Sequence, residues 1–204
     1  MGLIMALVLG ELSAGKAEAA RARAGRYFKG GHYYAAVGAW SEYLALVPDD
    51  EDARLELART LNIVGQVPDA TQLFKAGFHA LLEAGRADKA LSVHEEALRA
   101  GLDLGLAPEQ LARVAILKEK QLDYRGALQA YQHLYETYPK HAEGHRAVVR
   151  IIVLSHGKVP DEKVAHRWLV EAARNLPSGS WRDFLQREFK LPAEPDGAPV
   201  PDRG

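Results

Sequence analysis

Three features of this sequence predict an all-α chain of about ten helices with no sheet. Apolar residues recur at steps of three and four, as in Tyr33, Ala36, Val37, Trp40, Tyr43, Leu44 and Val47. Glycines and prolines interrupt these stretches at helix-length intervals. The third feature is a repeat: Ala36 recurs as Ala70, and Trp40 recurs at the same interval as the aromatic Phe74. That interval, about 34 residues, suits a pair of helices that cannot bury its apolar face alone and must stack on a neighbour.

Composition narrows the function classes. The 204 residues are 48% hydrophobic, enough to bury a sizeable core. Lysine and arginine total 26 against 27 aspartates and glutamates, so no global charge draws the chain to nucleic acid or to an anionic membrane. The absence of cysteine excludes disulfides, thiol catalysis and cysteine-ligated zinc. A reducing, cytoplasmic setting is compatible with that composition.

The chain opens with MGLIMALVLG. Ten helical residues rise only ~15 Å, about half the hydrocarbon core of a bilayer, so this stretch alone cannot span one. Three readings stay open: a helix packed on the first repeat or on a second copy, the end of a membrane span, or an unstructured start. Leu3, Ile4, Met5, Leu7, Val8 and Leu9 would surround a helix. Residues 2–10 are therefore expected to be helical and to favour membrane contact or self-association.

A helix follows over 17–30, stopped by Gly30–Gly31, and a second over about 33–47, ended by Pro48. Asp49–Asp50 can cap the next, 52–64, with Ala53, Leu57, Ala58 and Leu61 as its apolar set. Helix 68–84 carries Ala70, Leu73, Phe74, Phe78, Leu81 and Leu82. Gly65 and Gly85 stand too close together for a full repeat to lie between them. Either an opening helix is lost there, or helix 68–84 is shared between two repeats. The next helix has Ala90, His94, Ala97 and Leu98 in second-helix phase. After LDLGL, Pro108–Glu109 opens a helix with Leu111, Val114, Ala115 and Ile116. DYRGALQAYQHLYETYP then places Tyr124, Ala127, Tyr131, Leu134, Tyr135 and Pro139 where Tyr33, Ala36, Trp40, Tyr43, Leu44 and Pro48 stood. Helices at 142–155 and 161–175 follow. Ser180 is the expected cap of a last helix striped by Trp181, Phe184, Leu185 and Phe189.

These residues resemble the tetratricopeptide repeat family over 17–177. Ala24, Ala58 and Ala115 stand where the family has a small eighth residue, and Ala36, Ala70, Ala90, Ala127 and Ala165 where it has alanine at the twentieth. Trp40, Phe74 and Tyr131 match its aromatic at the twenty-fourth, from which His94 and Leu169 depart. Pro48, Pro139 and Pro177 match its closing proline. The physical reason is close packing: helices approach where small side chains meet, and a bulky residue one turn on fills the space beside them. The resemblance implies a right-handed helical solenoid. Its parts would be an apolar segment at 1–16, repeats over 17–177, a capping helix at 178–191 and a disordered tail at 192–204.

It also implies a concave groove lined by the first helix of each repeat. By that analogy Arg21, Arg59, Asn62, Arg113, Arg146 and Arg150 face the groove, with Leu55 and Ile116 among them. A mildly basic groove suits an acidic peptide or helix; the bland reading is that these arginines only solvate a helix face. The expected function is a non-catalytic protein-interaction scaffold, with no cofactor, no metal and no nucleic acid. A fainter resemblance concerns the join of GLIMALVLG to arginine-rich repeats. It looks like bacterial membrane proteins, some of the rhomboid family, with a cytosolic repeat tail. The alternative function is accordingly the regulatory or targeting tail of a membrane protein, with no rhomboid active site in the chain.

No catalytic constellation is expected. His141 and His145 share a helix face but lack a third ligand, and HAEGH departs from the HExxH order of metalloproteases. His94 reads as a packed ring.

Overall fold

The computed structural model describes the backbone of residues 2–191 and side chains from residue 13 onward. Its described residues form ten α-helices and no strand. In order they are α1 (Gly2–Lys29), α2 (Tyr33–Leu46), α3 (Glu51–Ile63), α4 (Val67–Glu83), α5 (Ala87–Arg99), α6 (Pro108–Lys120), α7 (Tyr124–Thr137), α8 (Ala142–Gly157), α9 (Glu162–Asn175) and α10 (Ser180–Phe189). The chain divides into two compact units, Met1–Gly105 and Leu106–Gly204. In the first, each helix packs on the next from α1 to α5. In the second, α6 to α9 do the same and α10 lies on α8 and α9. Sequential packing of helix pairs is the tetratricopeptide-like arrangement that the repeat spacing implies.

The small residues are where close packing requires them. Ala24, Ala36, Ala58, Ala70, Ala90, Ala115 and Ala127 are wholly buried, and Trp40, Phe74 and Tyr131 are buried beside them. His94 occupies an aromatic position and is buried against Phe78, with ring centroids 5.9 Å apart. Helix α4 packs on α3 before it and on α5 after it, with no further helix between Gly65 and Gly85. Gly77 allows the α3 approach: a Cβ there would stand 3.0 Å from Leu55 Cδ2. Leu55, expected in the groove, is buried in this contact.

Helix ends follow local chemistry. Asp50, Asp123 and Asp161 cap α3, α7 and α9, accepting from Ala53 N (2.9 Å), Gly126 N (2.9 Å) and Val164 N (3.0 Å). The expectation for Ser180 is corrected. Gly179 holds the cap position of α10 with φ of 148°, Ser180 is the first helical residue, and no side chain caps this end.

Five helices close with the same backbone bond and the same turn geometry. His32 N, Gln66 N, Arg86 N, Leu102 N and Asp123 N reach the carbonyls of Tyr27, Leu61, Leu81, Ala97 and Lys118 at 2.8–2.9 Å. In these five the residue before the donor is left-handed. Gly31, Gly65, Gly85 and Gly101 supply φ of 74°, 83°, 72° and 75°; at α6 the residue is Leu122, with φ of 63°. A Cβ in that conformation costs about 1–2 kcal/mol, and Leu122 is 69% exposed, so burial offsets little of it. Leu122→Gly is therefore expected to stabilise by about 1 kcal/mol, after the greater chain entropy of glycine is subtracted. An unchanged or lower urea midpoint would show that contacts of the leucine side chain hold this turn.

The LDLGL segment contributes core that helical periodicity does not announce. Leu102, Leu104 and Leu106 are each 3% exposed, alternating with exposed Asp103 and Gly105. Lys75 Nζ on α4 donates to Gly105 O at 2.8 Å. In the second unit Tyr138 Oη donates to Leu106 O at 3.0 Å.

No described helix is long and apolar enough to cross a membrane. Residues 2–10 are helical as part of α1. The expected exposure of their side chains, and the expected disorder of 192–204, lie outside the described residues.

Candidate functional site

The second unit contains an open groove of about 630 Å³, walled by α6, α7, α8 and the first turn of α10. That volume lies in the range of ligand-binding clefts. Helical spacing builds its walls. On α6, Ala112, Ile116, Glu119 and Lys120 fall four, three and one residues apart; on α8, Glu143, Arg146, Arg150 and Val153 follow steps of three and four. Tyr124 and Tyr131 enter from α7, Lys158 from the end of α8, and Trp181 from α10. Ile116 and Trp181 are each 45% exposed, so two large apolar side chains face solvent in this groove.

An ion triad forms part of its wall. Glu119 Oε1 accepts from Tyr131 Oη at 2.7 Å and from Arg150 Nε at 3.1 Å, and Glu119 Oε2 accepts from Arg150 Nη2. Burial, reinforced by the bond to Glu119, pushes the Tyr131 phenol up, so it remains a protonated donor. The bond to Glu119 also outweighs the burial of Arg150 and raises its guanidinium. Arg146 pairs with Glu143 at 2.6 Å. Lys158 Nζ sits 5.6 Å from the Tyr124 ring centroid, a cation–π distance. Four cations (Lys120, Arg146, Arg150, Lys158) and two carboxylates (Glu119, Glu143) line the groove, leaving a net charge of 4 − 2 = +2.

Of the six residues expected to face a groove, Arg146 and Arg150 line this one. Arg113 is exposed on α6 but is not among the lining residues. Arg21, Arg59 and Asn62 belong to the first unit. There Arg59 grips Glu96 of α5 through Nε and Nη2 at 2.6 and 2.8 Å, and Glu56 through Nη1 at 2.7 Å. The Arg59 bonds hold the Glu96 carboxyl below its usual range against the opposing effect of burial. Arg21 lies 3.8 Å from Asp50 and 5.7 Å over the Tyr43 ring. Burial would push the Asp50 carboxyl up, but bonds from Tyr43 Oη (2.6 Å) and Ala53 N, with Arg21 nearby, bring it down. Asn62 is half-buried, and its carbonyl accepts from Gly65 N at 3.1 Å.

These arginines therefore stitch helices together as well as giving charge. Arg59 links α3 to α5 and Arg150 links α8 to α6. The carboxylate partner lies about one repeat away in sequence, 37 and 31 residues respectively. That offset is the signal by which Glu119 and Glu96 could have been found. Bidentate, charge-assisted pairing suits the planar guanidinium.

His141 caps α8, its Nδ1 accepting from Glu143 N at 3.2 Å, and its Nε2 lies 3.6 Å from Glu109. Among the described residues no cluster of three metal-ligating side chains occurs.

No family model matches the chain, and no curated protein matches it. Among solved structures, the crystal structure of MamA protein is 15% identical, with a TM-score of 0.37, covering 89% of this chain and all of that one. A structure from the functional characterization of Pseudomonas aeruginosa pilF is 16% identical, with a TM-score of 0.39, covering 86% of this chain and 99% of that one. Neither supports the rhomboid resemblance.

Proposed function

We propose that this chain is a non-catalytic protein-interaction scaffold whose docking surface is the groove of the second unit. Its partner is an acidic peptide or helix carrying an apolar anchor. One observation carries the reading: solvent-facing Ile116 and Trp181 share an open groove with a net charge of +2. Apolar side chains left in water favour an anchor, and the surplus cations favour carboxylates beside it. The groove is lined by no serine, cysteine or histidine, so no hydroxyl–imidazole or thiol–imidazole nucleophile pair is built into it. Because Glu119 and Glu143 engage Arg150 and Arg146, the lysines supply the surplus charge.

The test is a fluorescence-anisotropy titration with a labelled glutamate-rich peptide bearing one leucine, beside its glutamine analogue. The acidic probe should bind more weakly as salt rises, since exposed pairs are screened within ~10 Å at 0.1 M. Lys120→Glu with Lys158→Glu should weaken it at least about tenfold, equivalent to ~1.4 kcal/mol. Arg113→Glu, outside the groove, should change it little. Equal binding of both probes, unaffected by the lysine reversals, would reject the electrostatic reading in favour of apolar helix docking.

A further inference from the structure

Four of the five left-handed helix ends carry glycine. The fifth carries Leu122, with φ of 63° and 69% of its surface exposed. A leucine there bears backbone strain without the burial that would offset it, and strained residues cluster where ligands are held. Leu122 also borders a second hollow of this unit, about 410 Å³, between the α6–α7 turn and the α8–α9 connection. Leu122 and Arg125 wall one side of it, Val159 and Pro160 the other. Tyr124 and Lys158, 5.6 Å apart from ring centroid to Nζ, line both this hollow and the groove. The two are therefore continuous across that pair.

We infer that Leu122 is a second docking residue: the partner's acidic chain runs on from the groove, over Tyr124 and Lys158, and covers Leu122 with a second apolar side chain. The inference rests on the groove reading above and adds to it the extent and form of the partner.

Charge supports an acidic occupant. The hollow sets Arg125 and Lys158 against Asp123, a net of 2 − 1 = +1. The Asp123 carboxylate is already engaged, accepting from Gly126 N at 2.9 Å and lying 3.5 Å from Lys118 Nζ. The positive character of the groove thus continues into the hollow and suits a chain that is acidic along its length. The apolar surface gives the second contact. Leu122 and Pro160 are exposed and Val159 is half-buried, so a partner side chain set among them would remove apolar surface from water. Spacing gives the form. The six residues from Ile116 to Leu122 correspond to ~9 Å of helical rise. A polyproline II segment covers that length in about three residues and brings its side chain back to the same face. An extended chain with apolar residues three apart therefore reaches both places.

The test is an anisotropy titration of the intact chain with the one-leucine acidic peptide above. Two further peptides carry a second leucine, three residues before or three residues after the first. One of the two should bind about tenfold or more tighter than the one-leucine peptide, as burial of a further leucine requires, and its identity gives the direction of the bound chain. Leu122→Gly and Leu122→Asn both tolerate a left-handed turn. Each should remove that gain while leaving the one-leucine peptide bound as before, and Leu122→Gly should do so with a raised urea midpoint. Loss of the one-leucine peptide in either variant would make Leu122 a support of the groove's shape and overturn the inference. So would a gain that survives in either variant, or second-leucine peptides that bind the natural chain no tighter than the first. In these last two cases, salt-sensitive binding of the one-leucine peptide leaves the groove reading standing. Binding of none of the three peptides to the natural chain removes both.

Discussion

Phe78→Ala should destabilise the first unit by about 3–5 kcal/mol, the usual cost of deleting a wholly buried phenylalanine from a packed core. Phe78 has no exposed surface and stands on α4, beside Gly77 and against the His94 ring. Its loss removes contacts at the junction of α4 with α5 and leaves the imidazole beside a void. Net domain stabilities are only about 5–15 kcal/mol, so the variant should unfold at much lower urea, followed by far-ultraviolet circular dichroism. Ile63→Ala is the matched control. Ile63 is 50% exposed near the end of α3, and its truncation should cost under about 1 kcal/mol. A Phe78→Ala cost no larger than that of Ile63→Ala would show that α4 does not share its core with α5.

The contrast between these two residues shows what sequence could convey. Phe78 lies in a stripe with Ala70, Phe74, Leu81 and Leu82, and helical periodicity alone marks it as core. Glycine and proline stops mark the helix ends with equal clarity, because each acts through its own backbone. The break in repeat spacing was legible but its origin was not, since a lost helix and a shared one leave the same short interval between Gly65 and Gly85. Leu102, Leu104 and Leu106 escaped notice because their period is two, the mark of extended chain, within a sequence read for helices. Leu122 gave no sign of a left-handed turn, for only its position after α6 imposes one.

The groove was legible as a tendency and not as an inventory. Arg146 and Arg150 follow from repeat phase. Trp181 and Lys158 enter from elements outside that phase. The partners Glu119 and Glu143 depend on which helix faces which, a fact of tertiary packing. Charge counted along helices thus overstated the basic surface: the arginines are real, but carboxylates engage them.

Glu119→Gln should therefore do two opposite things. Glutamine retains the shape and one acceptor oxygen, so Tyr131 can still donate, but Arg150 loses its counter-charge. Glu119 is 17% and Arg150 43% exposed at their side chains, intermediate between a surface pair and a buried one. The expected cost is about 1–2 kcal/mol, below that of breaking a fully buried pair because solvent screens the freed guanidinium. Binding should move the other way. The net charge of the groove rises from +2 to +3 as one carboxylate is lost, and the released guanidinium offers a bidentate site for a ligand carboxylate. The acidic probe should bind roughly three- to tenfold tighter at low salt, the gain fading as salt screens it. Its glutamine analogue should bind as before. Arg150→Gln supplies the opposite arm, lowering the charge to +1 and weakening the acidic probe. If Glu119→Gln destabilises the fold while leaving acidic binding unchanged, the triad is a structural stitch alone and the recognising cations are Lys120 and Lys158. If both variants weaken the acidic probe alike, the triad acts by holding the shape of the groove and not by its charge.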